Sequence, residues 1–225
     1  MPKINVSRSI EIDQPADKIF PLLNDFNQWQ AWSPWLLADP DTQVNVAPDG
    51  KSYSWEGPIT GSGEMKVLSE TATSSIHYEL LFLKPFRSHA KTHFTLEPTK
   101  LGTRLTWVMD SSLPFFMFWM KKSMQVFIGM DYDRGLQMIK DLAENGKVGS
   151  HLDFLGQQNF PAKQYISISK TCPIAELPQH MGKDFQQLLE YVHGNKHLSE
   201  DGPAFSMYHK WDAVGGQVRY TACVP

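Results

Sequence analysis

The chain has 225 residues, 41% hydrophobic and 20% charged, with a formal net charge of -3, a composition ordinary for a globular protein able to bury a real core. Charge is spread evenly, 15 Lys/Arg against 17 Asp/Glu over residues 1–150 and 6 against 7 over 151–225, so no basic footprint for nucleic acid is present. The two cysteines, Cys172 and Cys223, lie far apart, and Met1 leads straight into an alternating strand pattern rather than a charged and apolar leader; the expectation is a cytoplasmic protein with free thiols.

Residues 4–12 alternate as a half-buried strand, with Ile4, Val6, Ile10 and Ile12 apolar and Arg8 the exception. Asp13 and Pro15 end it. From Ala16, the residues Ile19, Leu22, Leu23 and Phe26 recur at helical spacing, with Asp13 or Gln14 placed to cap. Pro21 is expected to split this segment into two short helices, and Pro34 to stop it after Trp29 and Trp32. Five strands follow between about residues 51 and 110, separated by Gly57-Pro58, Gly61, Lys84-Pro85, Pro98 and Gly102, the pattern of an antiparallel meander. Period two through those strands gives one face with Tyr53, Trp55, Met65, Val67, Tyr78, Leu80, Phe82, Phe94, Leu96, Leu105, Trp107 and Met109, and no charge. The opposite face holds Glu56, Glu64, Lys66, His77, Glu79, Lys91, His93, Arg104 and Asp110 with Ser54, Thr95 and Thr106, a solvated surface of mixed sign.

A long helix is expected from about Phe115 to Glu144, with Phe116, Met120, Met124, Phe127, Leu136, Ile139 and Ala143 near one stripe that lies across the apolar face of the sheet. Gly129 and Gly135 interrupt it, each costing about 1 kcal/mol relative to Ala unless a bend or a close approach is being accommodated; a kink would leave room beneath. The apolar run Leu113–Met120 is cut off by Lys121 and Lys122, far short of the ~20 residues a spanning helix needs, so stable membrane insertion is not expected; a helix closing over a sheet is preferred to an interfacial one. Asn145-Gly146 ends the helix, and residues 149–162 form a polar linker between a domain at 1–148 and a second at 163–225. In the second, Tyr165–Lys170 alternates as a strand, Leu177, Met181, Phe185, Leu188 and Val192 keep helical spacing to Gly194, and Ala204–Lys210 and Gln217–Val224 read as strands. The fold class is α+β.

The order in residues 3–147 resembles the START-like or polyketide cyclase/dehydrase superfamily (SRPBCC), a helix-grip fold. The likeness rests on Pro15-Ala16-Asp17-Lys18-Ile19-Phe20 leading to Asp25 through Trp35, and on Asp131-Tyr132-Asp133-Arg134-Gly135-Leu136 before Ile139-Lys140. The resemblance implies a cavity between sheet and long helix for lipids, hormones, polyketides or other apolar molecules. The superfamily holds binders, transporters and enzymes alike, so fold alone does not choose among them. The tail, from Phe160-Pro161-Ala162-Lys163 through Ile168-Ser169-Lys170-Thr171-Cys172-Pro173 to Tyr208-His209-Lys210-Trp211-Asp212, looks like the first half of a GyrI-like effector-binding domain of the AraC type. Such domains pair two units around an amphipathic or cationic ligand, with an acidic residue in the second unit. With one unit here, the resemblance implies either a homodimer through the C-terminal module or a shortened relative, and leaves Tyr208 and Trp211 as the matching pocket candidates.

The expected ligand-binding set is Trp29, Trp32, Trp35, Trp55, Phe82, Trp107, Met109, Phe116, Trp119, Met120 and Phe127, rings and thioethers that suit an apolar cavity and, equally, a plain core. Indole N–H groups would orient the ligand, with Arg87 and His89 as polar groups at the cavity mouth. No catalytic residue is assigned, because His77, Glu79, His93 and Arg104 fall on the outer face. Metal is not expected either: His89 and His93 are four apart in a strand, about 13 Å at ~3.3 Å per residue, and His193 and His197 straddle Gly194. The resulting reading is a binder of an apolar or amphipathic small molecule, acting as sensor or carrier without a cofactor. The alternatives are a cyclase or dehydratase on an aromatic or polyketide-like substrate, and a protein-interaction or dimerisation module.

Overall fold

The computed structural model describes residues 3–113, 115–149, 156–157, 159 and 162–225, with the side chains of 115–117 left out. The alternation at the start forms β1 (Lys3–Ile12), and Pro15 in extended conformation leads into α1 (Ala16–Asn24). Pro21 lies inside α1 without dividing it. A 3₁₀ turn (Phe26–Ala31) follows, its first N–H groups met by Asp25, whose carboxylate accepts from the Asn27 backbone N–H at 2.9 Å. Pro34 does not stop the segment as expected. It opens α2 (Pro34–Ala38) at the first helical position, where a missing N–H removes no hydrogen bond.

Six more strands complete the larger sheet: β2 (Gln43–Val46), β3 (Ser52–Gly57), β4 (Gly61–Thr71), β5 (Ser75–Lys84), β6 (Ser88–Thr99) and β7 (Gly102–Ser112). The order is β1-β7-β6-β5-β4-β3-β2, antiparallel throughout, so the meander closes back onto the first strand. The four-residue β2 is too short for its alternation to register in the sequence. The uncharged face forms as expected, with Tyr78, Phe94, Leu105 and Trp107 fully buried on it.

The expected single helix over this face is instead a 3₁₀ turn (Phe115–Met120) followed by α3 (Lys121–Asn145). α3 buries Tyr132, Leu136, Met138 and Ile139. Tyr132 stacks on Trp107 with ring centroids 3.8 Å apart and planes at 10°, and Phe94 stacks on the same indole at 4.6 Å. Of the two expected reasons for the glycines, bend or close approach, the structure shows close approach. α3 runs on as one helix through both of them. A Cβ on Gly135 would sit 2.9 Å from Trp107 Cζ3 and 3.4 Å from Pro34 Cδ, and one on Gly129 would meet the Arg8 guanidinium. Their cost in helix propensity brings the helix down onto the sheet.

The chain divides into two compact units, Met1–Phe154 and Leu155–Pro225. The smaller one contains β8 (Ile166–Pro173), a 3₁₀ turn (Ile174–Glu176), α4 (Leu177–Gly194), β9 (Phe205–Asp212) and β10 (Gln217–Val224), with sheet order β8-β10-β9. Leu177, Leu188 and Val192 of α4 pack on Val218, Tyr220, Ala222 and Val224. Asp184 is buried in that layer, where Tyr220 Oη donates to it at 2.6 Å and Lys170 Nζ pairs with its other oxygen, so the buried charge is compensated. Among the described residues no helix is long and apolar enough to cross a membrane.

The two glycines should respond differently to the same substitution. In Gly135→Ala the new methyl meets rings that cannot move, and a loss of about 1–3 kcal/mol in urea unfolding is expected. In Gly129→Ala the obstacle is the end of a flexible side chain. Losing the exposed Arg8–Asp133 pair at 3.0 Å costs about 0–1 kcal/mol, and the helix propensity gained is ~1 kcal/mol, so the net change should be near zero. Equal effects at the two positions would contradict close packing as the role of Gly135.

Candidate functional site

Between α3 and the apolar face of the sheet lies a cavity of about 370 Å³, at the small end of the ~300–1,000 Å³ of ligand pockets. The sheet supplies Tyr53, Trp55, Met65, Leu80, Phe82, Trp107 and Met109, the α1–α2 region Trp29, Ser33, Trp35 and Leu36, and α3 Met124, Ile128, Asp131 and Tyr132. The connection from β5 to β6, Lys84 through Ser88, forms part of the rim.

The expected site residues divide accordingly. Trp29, Trp35, Trp55, Phe82, Trp107 and Met109 line the cavity. Trp32 is fully buried behind that wall, 4.6 Å from the Trp29 ring and 5.8 Å from Trp107, and is core. Trp119 and Phe127 are surface residues, 70% and 54% exposed, and Met120 is half-buried without reaching the cavity. The inward stripe of α3 runs Met124, Ile128, Tyr132, Leu136, and Phe127 falls off it. The Phe116 side chain lies outside the described residues. Arg87 lines the rim, whereas His89 faces away. Period two sends Ser88, Ala90 and Thr92 of β6 inward and His89 outward. Tyr208 and Trp211 are half-exposed on β9, their rings 5.8 Å apart.

The indoles do not orient a ligand through their N–H groups, because each is already donated to the protein. Trp29 Nε1 donates to the Leu23 carbonyl (2.9 Å), Trp32 to the Leu22 carbonyl (2.9 Å), Trp35 to Asp131 Oδ2 (3.1 Å), Trp55 to the Thr60 carbonyl (3.3 Å) and Trp107 to Thr92 Oγ1 (2.8 Å). The oxygen-bearing side chains of the lining are Asp131 and Tyr132 of α3, Ser33 before α2 and, from the sheet and rim, Tyr53, Thr60, Ser88, Thr92, Ser111 and Ser112. The Thr92 hydroxyl gives its proton to the Val108 carbonyl at 2.8 Å, so the 3.1 Å contact with Tyr132 Oη has the tyrosine as donor and leaves the phenol oxygen as an acceptor. Burial pushes the Tyr132 pKa well up, which keeps it neutral.

Asp131 was absent from the expected set. Burial raises its pKa above the ordinary carboxylate range, against the lowering effects of the Trp35 indole and the charge of Arg134. It makes no ion pair among the described residues. Ser33, 2% exposed, lines the same cavity with no described hydrogen-bond partner for its hydroxyl. In the sequence Asp131 stood out only as the first residue of the Asp131–Leu136 segment that carries the family likeness, which by itself assigns it no place in a cavity.

Asp39 plays a different part. It is buried, and its Oδ2 accepts from the backbone N–H groups of Ile59 (2.9 Å) and Thr60 (2.8 Å). Burial alone would raise its pKa, but these donors outweigh it and hold the carboxyl below its ordinary value. It fixes the β3–β4 turn beside the Trp55 wall.

Residues 3–144 match the family described as polyketide cyclase / dehydrase and lipid transport. The chain belongs to this family. Among solved structures, a protein from Mesorhizobium loti aligns over 64% of this chain and 99% of its own at 16% identity and TM-score 0.50. The di-domain ARO/CYC StfQ from the steffimycin biosynthetic pathway aligns over 64% of this chain and 52% of its own at 12% identity and TM-score 0.53. These likenesses establish the fold of the larger unit. No curated protein matches in sequence.

The raised pKa of Asp131 carries a stability prediction. Above its folded pKa the folded state holds a charge that the unfolded chain solvates better, so wild-type stability should gain as pH falls through that value. Asp131→Asn lacks the charge and keeps an acceptor for Trp35. It should melt higher than wild type at pH 7, with the gap closing below about pH 4, where both states of wild type are protonated. A lower melting temperature for Asp131→Asn at pH 7 would contradict the assignment.

Proposed function

We propose that the larger unit is a receptacle for an apolar or amphipathic small molecule, held between the sheet and α3. The observation that carries this reading is the cavity of about 370 Å³, walled mainly by rings and thioethers. Burial of ligand surface at roughly 25 cal/mol per Å² would supply the affinity, and Met65, Met109 and Met124 give a wall that adapts to shape. The family description, which joins cyclase and dehydrase chemistry to lipid transport, supports a ligand of this kind without naming it.

One observation favours a second reading, a cyclase or dehydratase. Asp131 and Tyr132 are neighbours on one helix, both reach the cavity, and burial raises the pKa of both, the direction in which a carboxyl is tuned toward acid–base work. Of the polar groups expected at the cavity mouth, Arg87 stands at the rim, while His89 faces away and takes no part in this reading. Binding comes first because it needs only the cavity.

Titration with the fluorescent probe N-phenylnaphthylamine tests the primary reading. Wild type should bind it with saturation and blue-shifted emission. In Met109→Trp an added indole occupies the cavity. It should weaken binding by at least about tenfold, ~1.4 kcal/mol, while the melting temperature stays within a few degrees, since the added ring fills space. Absence of probe binding by wild type, or undiminished binding by a folded Met109→Trp, would overturn the proposal.

A further inference from the structure

Resting on the receptacle reading, the polar end of the cavity says what kind of group its ligand carries. Asp131 is the one carboxylate of the lining among the described residues, with the Tyr132 phenol beside it on α3 and the Ser33 hydroxyl before α2; the remaining oxygen groups, Tyr53, Thr60, Ser88, Thr92, Ser111 and Ser112, are neutral hydroxyls of the sheet and rim. Tyr132 has committed its proton to Thr92 and is left an acceptor. Asp131 is an acceptor by its charge, with one oxygen held by Trp35 and the other without a partner among the described residues. Ser33 can serve either way. The indole donors that could have met a carbonyl or carboxylate are all engaged with the protein. The cations of the lining are Lys84 and Arg87, both on the rim, and Lys84 is held by Glu56 at 2.7 Å.

A ligand complementary to such an end brings donors and positive charge. We infer that the cavity takes a primary or secondary amine in its protonated form, carried on an aromatic or apolar body, with the ammonium seated on Asp131 and its remaining protons directed at Tyr132 and Ser33. A half-buried carboxylate without an ion-pair partner carries a desolvation cost, and a charged partner inside the cavity relieves it while forming a charge-assisted hydrogen bond. Arg134, exposed and next but two on α3, attracts Asp131 from the solvent side without forming an ion pair, so the carboxylate stays open to the cavity.

Three probes with one body separate this inference from the reading beneath it: naphthylethylamine, naphthylethanol and naphthylpropanoate, titrated into the full chain at pH 7 by calorimetry, with N-phenylnaphthylamine as the reference for the cavity itself. Wild type should bind the amine about tenfold or more tightly than the alcohol, and the carboxylate most weakly. In Asp131→Asn the preference for the amine should vanish, with alcohol affinity held to within about twofold. An amine bound no better than the alcohol, a preference that survives in Asp131→Asn, or a carboxylate bound best through Arg87 would each overturn the amine assignment and leave the receptacle standing. The same holds if N-phenylnaphthylamine binds and none of the three does. Failure of all four probes would overturn both. The wild-type comparison stands by itself if Asp131→Asn does not fold.

Discussion

The buried N–H of Trp107 governs more of the larger unit than any other single group. The indole sits in the middle of β7, stacked between Phe94 of the neighbouring strand and Tyr132 of α3, with Trp29, Trp32 and Trp35 edge-on to it within 6.4 Å. A buried indole N–H must find an acceptor, and Thr92 meets it at 2.8 Å. That choice propagates. Thr92 spends its own proton on the Val108 carbonyl, so Tyr132 has to donate to Thr92, and the orientation of the phenol follows. Gly135 admits the helix close enough for the stack to form. One hydrogen bond in the sheet thereby determines which lone pair of a helical tyrosine is left to the cavity.

The same economy runs along the aromatic wall. Indoles were the natural candidates to orient a ligand, yet each one that packs in this layer has its N–H on a carbonyl, a carboxylate or a hydroxyl of the protein. The rings contribute shape and apolar area, while the one carboxylate among the described lining residues comes from α3. Asp131 stands apart because Trp35 satisfies one of its oxygens and burial opposes its charge.

Legibility in the sequence followed how strongly each feature is repeated. The two faces of β3–β7 were plain, because alternation recurs through five strands and a single covered face sorts charge from rings. The helices were read less well. Trp119 and Phe127 are apolar and lie at the right spacing for a stripe, but the phase of α3 is set by Tyr132 stacking on Trp107 and by the two glycines, contacts made across more than 20 residues of chain. Glycine in a helix reads as a weak point from propensity alone, and only the ring beneath Gly135 shows that it is a point of approach. Pro34 carries the same ambiguity, since a residue that cannot continue a helix is well suited to begin one. Asp131 was passed over for a related reason: an acid beside a buried tyrosine is one helical step from solvent, and which side it takes depends on the Trp35 indole. In the smaller unit the strand, helix, strand, strand order was legible from period alone, whereas the buried Asp184–Tyr220–Lys170 group, which joins helix to sheet, was not.

The central claim, that a small molecule enters between α3 and the sheet, is tested most directly by methyl spectra of the methionine-labelled protein with N-phenylnaphthylamine added in steps. Met65, Met109 and Met124 line the cavity, Met130 is on the exposed side of α3, and Met181 and Met207 belong to the smaller unit. The account predicts ring-current shifts that saturate together at Met65, Met109 and Met124 while Met130, Met181 and Met207 stay in place. Shifts confined to Met181 and Met207, or none at the three lining methyls, would contradict it.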